Sequence, residues 1–401
     1  MIQLKIQKPK NMTQMQAKEL AFLFVYLSAV MFFLFCIGTN EICAESNSAE
    51  DSQTQLLTVA FDTASAIPVH PHIKDLCKTQ AAVVEACIES GRIEMAERFA
   101  DKIQNWRKAH CYAQIAAKLA ADGRQKKADM LLAKARHALV DEKDGWRREL
   151  VTNLIDSVEK SKNNHIGSGP DTCGEFDIAK SKEWIAALEE TSARGDFDLT
   201  MKALKRYVFL FERYYQQSEF RETVEKNIRK SWQKMPPSLR IDFLAAMVSA
   251  ALDNHDNAAA VRLLDEYQAM VEGYNWSLEK FIPISAELLM LNYKAGRGND
   301  VNEKINELVN LFDKGKDKIL NIDRARTLRP LALACHQVGL SDKSLSLYNK
   351  VLDEGLSNLN SRPRAIDLAA TCSSMAVNSI EPDDRLWVKI NQIKQGLKEP
   401  W

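Results

Sequence analysis

Along this chain, apolar residues recur three and four positions apart in runs that break at short polar turns. Around Gly123, Tyr112, Ile115, Ala116, Leu119 and Ala120 come before the turn, and Ala128, Leu131, Leu132 and Ala135 come after it. Each run lays its apolar side chains along one stripe of a helix. The turn Asp122-Gly123-Arg124 is short, so the two helices should fold back on each other. The same offsets return after Gly91 (Ala96, Phe99, Ala100, Ile103), Gly195 (Thr200, Ala203, Leu204, Tyr207), His255 (Ala260, Leu263, Leu264, Tyr267) and Gly339 (Ser344, Leu347, Tyr348, Val351). After Gly296 the pattern thins to Val301, Ile305 and Leu308, and Lys304 breaks it. No stretch alternates as a half-buried strand would, so the expected fold is all-α, with residues 76–398 nearly all helical.

The turn residue and the residue five places later carry the physical sense of the repeat. A helix commonly ends on a left-handed residue, which glycine adopts without a Cβ penalty. The small residue that follows lets the second helix approach the first closely. One such pair cannot bury both of its apolar faces, so pairs must stack on one another.

The pattern Gly-x-x-x-x-Ala, then an aromatic residue or Leu, then a small or apolar residue, resembles the tetratricopeptide repeat across its turn and second helix. The nearest approach is ALACHQVGLSDKSLSLYNKVLDEG, residues 332–355. Ala332 and Ala116 supply the small residue that this family prefers in the first helix. The resemblance covers about two-thirds of the chain, from about residue 79 to residue 375. It implies a solenoid of antiparallel helix pairs whose first helices line a concave, ligand-binding face. Carried over by offset, that face would include Tyr293 and Lys294 in one unit and Arg329, His336 and Gln337 in the next. Such a groove could take an acidic peptide or a C-terminal carboxylate.

Turn spacing is uneven, at 32, 72, 60, 41 and 43 residues. The longest interval holds a further helix, 146–160, and a linker. The next holds a helix near 220–233 that reads as an insertion, ended by Pro236-Pro237. The expected organisation is a signal peptide or membrane anchor (1–44), a tether (45–75), N-terminal helical repeats (76–160), a linker (161–177) and C-terminal helical repeats (178–401). The last unit, 363–396, has weaker offsets, as a terminal cap should.

The N-terminus points to export. Residues 20–38 run nineteen positions without a charge, enough for about 28 Å of helix. Lys5, Lys8, Lys10 and Lys18 precede the segment and Glu41, Glu45, Glu50 and Asp51 follow it, which sends the remainder outward. Cleavage after Ala44 and retention as an anchor both remain open. Formal net charge is zero, which removes the global electrostatic case for nucleic acid. Eight cysteines include no C-x-x-C pair, so zinc, haem and thioredoxin-type readings have no support.

Candidate chemistry is sparse. His70-Pro71-His72 has no carboxylate or cysteine partner at a metal-binding spacing. Ser157-x-x-Lys160 and Ser277-x-x-Lys280 match a serine–lysine pattern without the motifs that accompany it. No catalytic residue, metal ligand or cofactor is therefore expected. The sequence reads as a non-catalytic scaffold or adaptor that binds a protein or peptide on the outer side of the cytoplasmic membrane, held to the membrane by its N-terminal segment. The alternative is a helical solenoid or toroid enzyme acting on polysaccharide or peptidoglycan.

Overall fold

The computed structural model describes residues 52–165, 178–193 and 196–401. The hydrophobic segment 20–38 lies outside them, and no described helix is long and apolar enough to cross a membrane. Among the described residues there are seventeen α-helices and no strand, in line with the helical periodicity. In chain order they are α1 (52–65), α2 (Val69–Glu89), α3 (Ile93–Ala100), α4 (Arg107–Ala121), α5 (Gln125–Ala138) and α6 (Gly145–His165). Next come α7 (Ile178–Ala193), α8 (Phe197–Arg213), α9 (Ser218–Ser231), α10 (Pro237–Asp253), α11 (Asn257–Gly273) and α12 (Leu278–Lys294). The chain ends with α13 (Val301–Gly315), α14 (Asn321–Gln337), α15 (Ser341–Leu356), α16 (Ser361–Val377) and α17 (Asp384–Gln395).

Six turns share one geometry. Gly91, Gly123, His255, Gly296, Gly339 and Ser379 all have φ between 53° and 82°. In each, the next amide donates to the carbonyl five residues back, as Arg124 does to Leu119 at 2.8 Å and Leu340 to Cys335 at 2.8 Å. That bond satisfies a carbonyl the ending helix would otherwise leave open.

Residues 52–75 depart from the tether expected of them. Leu56, Leu57, Ala60, Phe61 and Ala64 make one apolar stripe of α1 and are at most 1% exposed. Phe61 stacks on Phe99 of α3 with ring centroids 4.0 Å apart. Thr58 and Asp62 between these positions occupy the solvent side of the helix, and Thr63 is buried with the stripe.

Stacking order differs from chain order. Among the first helices, α8 packs on α10, α10 on α12, α12 on α14 and α14 on α16. The series then continues into the N-terminal region: α16 packs on α2, α2 on α4, and α4 on α6. One hydrophobic cluster accordingly joins residues 56–158 to residues 282–393, across the division expected at 161–177. A second cluster spans Ile185 to Leu291. Helix α12 feeds both, giving Ile282, Ala286 and Leu289 to the first and Leu288 and Leu291 to the second. The helix expected as an insertion, α9, pairs with α8 and reaches α11 exactly as other second helices reach their neighbours, through Arg262 of α11 and Glu225 at 2.7 Å.

Neighbouring second helices are joined mainly by a ladder of ion pairs. Glu97–Lys134 (2.9 Å), Glu225–Arg262 (2.7 Å), Asp313–Lys350 and Asp353–Lys389 (2.7 Å) are 36 or 37 residues apart. At the joint where the C-terminal region meets the N-terminal one, Lys394 of α17 reaches Asp62 of α1 at 2.8 Å. That rung spans 332 residues of sequence and has the geometry of the others.

Candidate binding groove

Helices α2 and α16 face each other along their lengths and enclose a groove of about 410 Å³. Its floor is small and apolar: Ala82, Ala86, Ala369 and Ala370, with Val83 and Ile366. Alanines suit helices intrinsically and leave the space that larger side chains would fill. Asp75 and Lys78, in the first half of α2, line one end of the groove, and Arg362 at the start of α16 ties to Asp75 at 3.2 Å. At the C-terminal end stand Glu85, Glu89 and Asn378.

Glu85 and Glu89 are exposed and make no ion pair with a described residue. They sit four residues apart at the C-terminal end of a helix, where like charges repel and the helix dipole disfavours anions. Partial burial, and then the Glu85 carboxylate, hold the pKa of Glu89 above the usual range. Ser373 also lines the groove, and its Oγ is shut away from solvent without a hydrogen-bond partner.

The same electrostatic condition recurs along the first-helix layer. Burial raises the pKa of Glu212 on α8, with Asp253 adding to it. Burial raises Asp242 on α10, against the pull of Lys280. It also raises Glu287 on α12, which Tyr267 Oη contacts at 3.0 Å. The second-helix layer shows the opposite direction. The Lys134 ammonium lowers Glu97, and Arg262 and Arg229 outweigh burial to lower Glu225.

A second opening, about 420 Å³, lies among α11, α12 and the start of α13. Lys304 occupies the place that Leu131, Leu263 and Leu347 fill in other second helices, and it is exposed where they are buried. The layer between α11 and α13 is therefore unfilled, leaving Leu288, Leu289 and Leu308 under a rim of Glu272, Asp300, Lys304 and Glu307.

The five residues expected on a concave face are not brought together as a site. Tyr293 and Lys294 are exposed at the C-terminal end of α12, and the Tyr293 ring packs over Gly298. Arg329 is drawn inward instead: its Nη1 is enclosed without a hydrogen bond. Burial lowers its pKa, against the field of Asp367 on α16. Pro330 follows within the helix and does not end it. His336 and Gln337 close α14, with Gln337 Oε1 enclosed and unpartnered. No hydrogen bond or ion pair links Lys294, Arg329 and His336.

Comparison with protein-family models, with curated proteins and with solved structures finds no match.

Among the described residues no group of three or more His, Cys, Asp or Glu is placed to hold a metal ion. His72 directs Nδ1 at Arg362 Nη1, 3.0 Å away. Cys77, Cys87, Cys111, Cys335 and Cys372 are buried free thiols, and burial pushes Cys87 and Cys372 up to about 12. Thiols so shielded do not form thiolates readily and behave as small apolar residues. Glu85 and Glu89 belong to no sequence motif, because acids four residues apart on a helix are ordinary surface composition. The signal that could have found them is their position in the last turn before Gly91, where acids are disfavoured.

Proposed function

We propose that this chain is a non-catalytic protein-binding scaffold or adaptor on the outer side of the cytoplasmic membrane, built as a tetratricopeptide-like solenoid. The observation that carries the reading is the division of charge between layers. Second-helix carboxylates are consumed by the ladder that holds the stack. Several first-helix carboxylates, among them Glu85, Glu89, Glu212 and Glu287, make no ion pair with a described residue, and Glu85 and Glu89 stand beside an alanine-floored groove. Exposed carboxylates that make no ion pair and cost stability where they stand, as Glu85 and Glu89 do, are available for a partner.

Packing supports a concave first-helix face: first helices pack directly on one another along the stack, and several neighbouring second helices are bridged by long charged side chains, although α15 and α17 pack directly as well.

The outward orientation rests on the lysines that precede segment 20–38. A reporter fused after Trp401 should be active only outside the cytoplasm, and cytoplasmic activity would overturn that orientation. For binding, a photo-cross-linking residue at Ala82 in the groove should capture a discrete partner in native membranes. The same residue at Met130, exposed on the second-helix layer, should not. Equal capture at both positions, or none at Ala82, would remove the adaptor reading.

The alternative, an enzyme acting on polysaccharide or peptidoglycan, draws on one observation. Asp242 and Glu287 stand on adjacent first helices with raised pKa values, as a general acid requires. Hydrolysis by the purified full chain that is lost in Glu287→Gln would favour it.

A further inference from the structure

The groove between α2 and α16 is made by the two ends of the described chain. One wall comes from residues 75–89 and the other from residues 366–378, and no covalent connection shorter than the whole intervening chain joins them. It exists only while the N-terminal helices are docked on the C-terminal ones. Every other first-helix contact from α8 to α16, and from α2 to α6, joins elements near each other in sequence.

Three independent features of the groove specify what it lacks. The C-terminal ends of α2 and α16 point the same way, since Asp75 and Arg362 join the helices near their N-terminal ends and Glu89 and Asn378 both line the other end of the groove. The negative ends of two helix dipoles and two carboxylates, Glu85 and Glu89, therefore lie at one end of the groove, and no cation lines that end. The lining's one cation, Lys78, lies at the middle of α2, about 10 Å along the helix from Glu85, and Arg362 is already engaged by Asp75 and His72. The floor between is apolar, in a groove of about 410 Å³, and Ser373 Oγ is enclosed there without a partner.

We propose that this groove takes a lysine- or arginine-bearing segment of the partner protein, with its cation between Glu85 and Glu89 and its aliphatic stem on the alanine floor, and that seating it locks α2 onto α16. The inference rests on the adaptor reading and names the partner's chemistry. A long cationic side chain suits such a site because its methylenes cover apolar surface while its head meets the carboxylates. Because the ligand binds only the docked arrangement, its binding and the docking of the N-terminal helices stabilise each other.

The test uses the full chain and a short amidated peptide alternating Lys and Ala, with a Glu/Ala peptide as control. The Lys peptide should bind, and should bind more weakly as salt rises from about 0.05 to about 0.5 M. Glu85→Gln/Glu89→Gln keeps side-chain size and should weaken binding about tenfold or more. Ala370→Leu fills the floor and should block it. In the wild type the peptide should slow amide exchange in α1 and α2, but leave α10 and α11 unchanged. Equal binding by wild type and the double glutamine variant, or equal binding of the Glu peptide, would overturn the proposal. So would binding without protection of α1 and α2. If the partner captured through Ala82 is retained by the glutamine variant, the cationic occupant is wrong and the adaptor reading stands. If the Lys peptide binds as described but no partner is captured, the groove chemistry stands and the adaptor reading falls.

Discussion

Glu89 and Glu97 lie eight residues apart in the chain and on opposite layers of the molecule. Glu97, on a second helix, is held by Lys134 and its pKa falls. Glu89, ending a first helix, faces Glu85 and its pKa rises. The comparison extends along the stack, with Glu94 and Glu225 lowered on second helices and Glu212, Asp242 and Glu287 raised on first helices. Glu279, lowered chiefly by Ser277, is the exception on a first helix, and it sits in the first turn of α12, where the dipole favours an anion. Second helices thus carry carboxylates that join neighbouring pairs, and first helices carry several whose burial works against the isolated fold.

The largest test of this architecture is to break the joint between the chain's two ends. Phe61 is buried, stacked on Phe99, and carried by the helix that bears the Asp62 rung. Phe61→Ala should cost about 3–5 kcal/mol by chemical denaturation. If 52–65 were a tether, the loss would be near zero.

The next test concerns the charge drawn furthest into the first-helix layer. Burial pushes Asp367 up to about 7, with Arg329 opposing. A carboxyl whose folded pKa exceeds its unfolded value binds its proton more tightly when folded. Its stabilising effect is complete below the unfolded value and lost as pH rises through about 7. Wild-type stability should therefore fall between about pH 4 and pH 7, by up to roughly 4 kcal/mol from this group. Asp367→Asn should lose that slope. An unchanged slope would mean that Arg329 neutralises Asp367 as a full ion pair.

Second-helix rungs should behave with the opposite sign. Glu225 is mostly buried and bonds both Arg229 (2.9 Å) and Arg262 (2.7 Å). Its lowered pKa contributes stability that is present above the unfolded value and lost as pH falls through the folded one. Glu225→Gln should cost about 1–3 kcal/mol at pH 7 and little near pH 3, measured by denaturation at each pH. An equal cost at both would mean that packing, rather than charge, joins α9 to α11.

The helix pairs were legible because their signals are local: a turn residue, a small residue five places on, and a periodic stripe, all within one pair. The joint between α16 and α2 was not, because Asp62 and Lys394 are 332 positions apart and nothing in either neighbourhood names the other. Helix α9 read as an insertion because Thr200, Ala203, Leu204 and Tyr207 of α8 match the second-helix offsets, yet α8 packs on α10 as a first helix. An apolar stripe shows which face is buried and not against what. Arg329 was misplaced for the same reason: the field that faces it belongs to Asp367, one pair further on. The groove was invisible because alanines such as Ala82 and Ala370 look like ordinary helix formers until two helices bring them together.

The smallest expected effect is at a turn where the pattern and the residue disagree. His255 stands where four other units carry glycine, with φ at 57°, and the Asp256 amide still completes the turn by donating to the Ala251 carbonyl at 2.9 Å. A left-handed conformation costs an L-residue roughly 1–2 kcal/mol, and glycine returns part of that gain because its unfolded chain is freer. The His255 side chain is exposed, so little packing is lost by removing it. His255→Gly should therefore stabilise the protein by about 0.5–1 kcal/mol, read as a shift in the denaturation midpoint. Gly339→Ala, with φ at 82° and open space around the added Cβ, should destabilise by a similar amount through backbone strain alone. The two changes should move in opposite directions. If both destabilise, His255 makes a contact that outweighs its strain, and the six turns are not equivalent.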